Sequence, residues 1–101
     1  METMFYNLSF SDSLQRFMKP LTQYGRMAER HWREFLPKLV AKLEAKGLLE
    51  TALLEAEENT DAELDTLRRQ FIRLGLTAQQ AHDRAWEMVR ERYLFLPPES
   101  Q

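Results

Sequence analysis

Between residues 48 and 74 the apolar side chains keep a beat that constrains everything else in the chain. Leu49, Leu53, Ala56, Leu64, Leu67, Phe71 and Leu74 follow at steps of three and four once Thr60 fills the one weak position. That is the signature of one face of an α-helix. At 1.5 Å per residue a helix over 48–74 spans roughly 40 Å. The other segments are shorter and bury their apolar faces most economically against it. Thr60-Asp61-Ala62-Glu63 fits a capping box, so a break there is an alternative. The beat runs through it, and the spacing predicts one continuous helix.

The remaining segments read as helices too. Residues 21–35 place Tyr24, Ala28, His31 and Phe35 on one face, with Met27 and Trp32 beside it. Gly25 interrupts that pattern and marks either the true helix start or a close approach of another backbone. Pro37 lacks an N–H and ends or bends the run, while suiting the first position of a new helix. That next helix carries Leu39, Val40 and Leu43 inward, shows a basic ridge of Lys38, Lys42 and Lys46, and stops at Gly47. Gly75 closes the long helix. Thr77 with Gln80 forms a second capping box, starting a last helix to about Arg92 whose narrow side is Ala78, Ala81, Ala85 and Val89. Ser11 or Ser13 caps a short early helix through Leu14, Phe17 and Met18, ended by Pro20. The expected fold is all-α: a small bundle of four or five helices around one long central helix. Three parts are expected: an apolar arm over 1–10, a single helical domain over 11–93, and a Pro-stopped tail over 94–101 that lies in a groove or against a partner.

Composition narrows function. With 101 residues the chain is one domain with a modest core, which makes self-association a source of added stability. There is no cysteine, so no disulfide, thiolate metal site or cysteine nucleophile. No run approaches the ~18 apolar residues of a membrane span, and Met1-Glu2-Thr3-Met4-Phe5 lacks the basic start of a signal peptide; the expected setting is cytoplasmic. The net charge of −2 conceals a segregation: +4 over 12–46, −7 over 48–66 and +3 over 67–92. Either an acidic helix half packs among basic helices, or the charges form a docking surface.

No catalytic constellation stands out. His31 and His82 show no zinc-type spacing, and hydrogen-bonded, partly buried imidazoles are the simpler reading. Glutamate pairs such as Glu57 with Glu58 are ordinary on a solvated helix face. The glycines are isolated, so no phosphate loop exists. The expectation is a non-enzyme with no metal and no cofactor.

Two binding roles remain. Large aromatic residues exceed what so small a bundle needs, and Phe5, Tyr6, Phe10, Trp32 and Phe95 are candidates for a protein interface, with a homo-oligomer as its simplest use. Alternatively, residues 68–92 form a basic helix-turn-helix-like unit. Arg68, Arg69, Arg73, Gln79, Gln80 and Arg84 would then meet DNA. The long preceding helix and its acidic half, which repels phosphate, weigh against that role.

Tyr24-Gly25-Arg26-Met27, the stretch Arg30-His31-Trp32-Arg33-Glu34, the series Leu43, Gly47, Leu49 and Leu53, then Gly75-Leu76-Thr77 and Trp86-Glu87 together resemble the TnpV-like family of small transposon-encoded proteins. The resemblance covers residues 24–96. It implies a small, helical, non-enzymatic accessory of mobile elements. Such a protein would assist recombination on DNA or block a host defence protein by binding it. The resemblance brings no catalytic residues.

Overall fold

A computed structural model describes residues 21–99. Within them lie four helices and no strand: α1 (Gln23–Phe35), α2 (Pro37–Ala45), α3 (Leu49–Arg73) and α4 (Ala78–Tyr93). The short early helix ending at Pro20, and the arm over 1–10, fall outside the described residues. No described helix is long and apolar enough to cross a membrane.

The long helix is continuous, as the apolar beat predicts. Thr60 does not cap a new helix. It is fully buried, and its hydroxyl donates to the Ala56 carbonyl one turn back at 2.8 Å, a bond a mid-helix threonine can make without breaking the ladder. Leu53, Ala56, Thr60 and Leu64 form the buried stripe, flanked by half-buried Leu49, Leu67 and Phe71. The beat fails at its last member: Leu74 lies beyond the final helical residue and is 76% exposed.

Both glycine stops are Schellman turns. At Gly75 (φ 106°), the Leu76 N–H reaches the Phe71 carbonyl and the Gly75 N–H the Ile72 carbonyl, each at 3.0 Å. At Gly47 (φ 70°), Leu48 and Gly47 make the equivalent bonds to Leu43 and Glu44 at 2.8 and 3.0 Å. Glycine adopts these angles without the Cβ penalty. The second capping box is present in full: the Gln80 N–H donates to Thr77 Oγ1 at 3.1 Å, and the Thr77 N–H to Gln80 Oε1 at 3.0 Å. A tight reversal therefore lays α4 back along α3. Ala81, Ala85 and Val89 are fully buried there, the small alanines letting the two backbones approach.

α1 also packs on α3, with a cap supplied from outside its own sequence. The Thr22 side chain makes no capping bond and α1 has no acid in its first turn. Instead Glu57, only 4% exposed on α3, accepts the Thr22 N–H at 2.6 Å. A carboxylate at this positive helix end is favourable. Gly25 is a close approach, though to side chains rather than backbone: a Cβ there would meet Leu21 Cδ2 at 2.9 Å and Glu57 Oε1 at 3.2 Å.

The buried stripe of α1 is Gly25, Ala28 and Trp32, continued by Leu36 just past the helix end. That is rotated from the predicted face, because the bulk of Trp32 claims the interior. Leu36 departs from helical geometry (φ −132°, ψ 52°) and Pro37 opens α2, so the predicted bend is where the proline requires it. α2 then turns Val40 into the core with Leu39 and Leu43 partly covered.

The segment after α4 lies in a groove, the first of the two alternatives for it. Leu94 is fully buried, so the packed body continues past residue 93. Trp32 Nε1 donates to the Leu94 carbonyl at 3.0 Å and His31 Nε2 to the Leu96 carbonyl at 2.8 Å. The Glu99 carboxylate then accepts the Lys38 and Leu39 N–H groups at 3.1 and 2.9 Å, capping α2 as Glu57 caps α1. Two helices thus take their N-terminal anions from distant chain, which ties the ends of the described fold to its middle.

Candidate functional site

Five rings form an unbroken strip across α1, α4 and the segment after α4. Phe35 lies 4.7 Å from His31 and His31 lies 5.2 Å from Phe95, centroid to centroid. Phe95 meets Trp86 edge-on at 6.2 Å, and Trp86 stacks on Tyr24 at 5.4 Å with 24° between the planes. These are favourable separations for aromatic pairs. The strip is not core: Phe35 is exposed and the other four are only partly buried. Tyr24, His31 and Phe35 are three of the four residues the sequence places on one face of α1. Ala28 and Trp32 fill the interior, and this face is left at its margin.

The interface candidates divide accordingly. Phe5, Tyr6 and Phe10 lie outside the described residues. Trp32 is corrected: at 5% exposure, with its indole N–H bonded to Leu94, it is a core residue with no face for a partner. Phe95 belongs to the strip. Tyr24, Phe35 and Trp86 were passed over as interface residues; their signal was aromatic content on the edge of an amphipathic pattern. Further large apolar exposure falls at Leu48, Ile72, Leu74 and Met88.

The nucleic-acid candidates stand on one helix–turn–helix unit, but several are engaged internally. Arg69 pairs with Asp65 at 2.8 Å, and Arg68 lies 3.9 Å from the same carboxylate. Arg68 also donates to His82 Nδ1 at 3.3 Å. Gln79 bonds Asp83 at 2.9 Å, and the Gln80 side chain is used in the capping box. Arg73 and Arg84 are exposed.

Several titratable groups have structural partners. Both imidazoles are hydrogen-bonded. Glu63 accepts from Arg92 at 2.6 Å and from the Tyr93 hydroxyl at 3.0 Å. The bond to Glu63, then burial, raises the Tyr93 phenol above its ordinary value. Arg33 bridges Glu29 and Glu44 at 3.0 and 3.3 Å, and its bond to Glu29 holds its guanidinium above the usual range. Among the described residues no group of three or more His, Cys, Asp or Glu side chains is placed to hold a metal ion. Comparisons with family models, with curated proteins and with solved structures find no match to this chain.

Proposed function

We propose that this protein is a non-catalytic accessory that acts by binding protein, first of all a second copy of itself, through the aromatic strip. The observation that carries the reading is the continuous contact of five incompletely covered rings supplied by three separate segments. Aromatic side chains offer large apolar area at low entropic cost, and they dominate the energetics of interfaces. The narrowest dimension of the Cα trace is 15 Å, about what two helix layers packed 8–10 Å apart occupy. A bundle this thin has little interior, so covering the strip with a partner adds burial the monomer lacks.

The mobile-element setting rests on the resemblance of residues 24–96 to TnpV-like proteins. Gly47 and Gly75, both in that resemblance, are the two positive-φ helix stops. A DNA-binding accessory is the second reading, favoured by the tight Gly75–Thr77 reversal between α3 and α4. It ranks below the first because Arg68, Arg69, Gln79 and Gln80 already have partners within the fold.

Co-expression of two differently tagged full-length copies separates the readings. Co-purification that survives nuclease, and is lost with Phe35→Ser, supports association through the strip. Recovery that disappears on nuclease treatment, and that Arg73→Ala with Arg84→Ala abolishes, would move the function to DNA.

A further inference from the structure

The chain after α4 is anchored firmly at its start and by polar contacts beyond it. Leu94 is fully buried, and its carbonyl accepts the Trp32 indole N–H at 3.0 Å. Leu96 is half-buried, and its carbonyl accepts from His31 Nε2 at 2.8 Å. Pro97 and Pro98 are exposed. The final hold is Glu99, whose carboxylate takes the Lys38 and Leu39 N–H groups and whose own N–H donates to the Phe35 carbonyl at 3.1 Å. An opening hinged just after Leu94 uncovers little fully buried apolar surface, so it costs less than unfolding the bundle.

Glu99 is well placed to govern that opening. Leu36 gives α2 no side-chain cap, and the first turn of α2 holds no acid. Pro37 has no N–H, and the Val40 N–H already bonds the Leu36 carbonyl. Lys38 and Leu39 therefore carry the donors that need a partner, and the Glu99 carboxylate satisfies both. Bonds to an ionised acceptor are among the stronger ones. The link from Glu99 back to Phe95 is also stiff. Each proline fixes its own φ near −65° and biases the residue before it to extended backbone. Displacement of Glu99 is thus passed to Leu96 and Phe95 instead of being absorbed between them.

Phe95 is where the strip can be cut. Its ring lies 5.2 Å from His31 on one side and 6.2 Å from Trp86 on the other. Without it the Phe35–His31 and Trp86–Tyr24 pairs are left as separate halves. We propose that Glu99 on the α2 N-terminus is a latch that holds Phe95 in place, so that the strip is whole with the latch closed and divided with it open. The proposal rests on the reading of the strip as a binding surface. It adds that a partner seated across both halves tightens the latch, because coupling between two events in one molecule is reciprocal.

Amide exchange and ring NOEs in the full-length protein test the latch, with Glu99→Ala and the milder Glu99→Gln. In Glu99→Ala the Lys38 and Leu39 amides should exchange roughly ten-fold faster or more. The NOEs from Phe95 to Trp86 and to His31 should fall together, with Glu99→Gln intermediate. The amide of fully buried Val89 should stay protected, showing that the bundle is intact. Faster amides with unchanged Phe95 NOEs would reduce Glu99 to a helix cap and overturn the proposal. These contacts lie within one copy, so they decide the latch whether or not the wild type self-associates. Association is the second readout. Glu99→Ala should raise the dimer Kd roughly ten-fold. A Kd that Phe35→Ser raises and Glu99→Ala leaves alone would overturn the latch while sparing the strip. A wild type that stays monomeric would overturn the strip as a surface for a second copy, and the NOEs would still decide whether Glu99 holds Phe95.

Discussion

Replacing Glu57 tests whether α1 is held to α3 by a borrowed cap or merely by apolar packing. The carboxylate accepts the Thr22 N–H at 2.6 Å. A hydrogen bond to a charged group contributes about 1.5–3 kcal/mol, and an anion at a helix N-terminus about 0.3–2 kcal/mol, partly the same energy counted again. Opposing these is desolvation, which can reach several kcal/mol for a buried ion. Here the penalty is limited by the bond itself, which is only part-buried because Thr22 is exposed, although Glu57 as a residue is 4% exposed. Alanine at this position also regains a few tenths of a kcal/mol of helix propensity, roughly. The balance predicts that Glu57→Ala destabilises the fold by about 2 kcal/mol, a fall in Tm of roughly 8–16 °C for a domain of this size. Glu57→Gln keeps an acceptor without the charge and should lose about half as much. Urea unfolding followed by the fluorescence of Trp32 and Trp86 reads both variants, with the slope unchanged if only stability has moved. The reasoning fails if either variant matches or exceeds the wild type, since the buried carboxylate would then be a net cost.

Other positions test the packing, the turns and the one shifted phenol. Leu64→Ala, at a side chain 1% exposed between α3 and α4, should cost about 2–5 kcal/mol in the same unfolding assay; a loss below ~0.5 kcal/mol, the scale of surface substitutions, would place the core elsewhere. Gly75→Ala meets no atom within 4 Å but sits at φ 106°, so any loss is backbone strain of about 1–2 kcal/mol, and an unchanged midpoint would deny the left-handed stop. Tyr93 should ionise above the ordinary tyrosine value of about 10, and Glu63→Ala should lower it. Because the folded value is the higher one, the stabilisation is complete below the unfolded pKa and is lost as pH rises through the folded pKa. Tyrosinate absorbance on alkaline titration measures this, and an unmoved transition in the variant would remove Glu63 as the cause.

Legibility in the sequence followed the range of the interactions. The long helix, the Pro37 bend, both glycine stops and the Thr77–Gln80 cap are set by residues within a few positions of each other, and each was readable. The rotation of α1 was not. Its expected face was Tyr24, Ala28, His31 and Phe35 with Met27 and Trp32 beside it, and helical spacing alone leaves undecided which of two adjacent stripes turns inward. The match of Trp32 to the Leu94 carbonyl, 62 residues away, decides it. The borrowed caps are equally long-range. Glu57 resembles its neighbour Glu58 in sequence, and only the approach of Thr22 distinguishes them. Leu74 shows the converse error: a periodic pattern extends one residue past the helix because an apolar residue beyond a stop keeps the beat without keeping the partner. The candidate site was readable in composition, as an excess of aromatics, but its membership depended on which face of α1 was left uncovered.

Sedimentation equilibrium of the full-length protein, with and without Phe35→Ser, tests the central claim most directly. Phe35 is an exposed end of the strip, so the substitution removes contact area while leaving the core alone. If the strip is the self-association surface, the wild type shows a concentration-dependent dimer. The variant then dissociates more readily by about 2 kcal/mol, the scale of an interface hot spot, or roughly thirty-fold in Kd. A wild type that stays monomeric at every concentration, or a variant that dimerises as tightly as the wild type, would contradict the account.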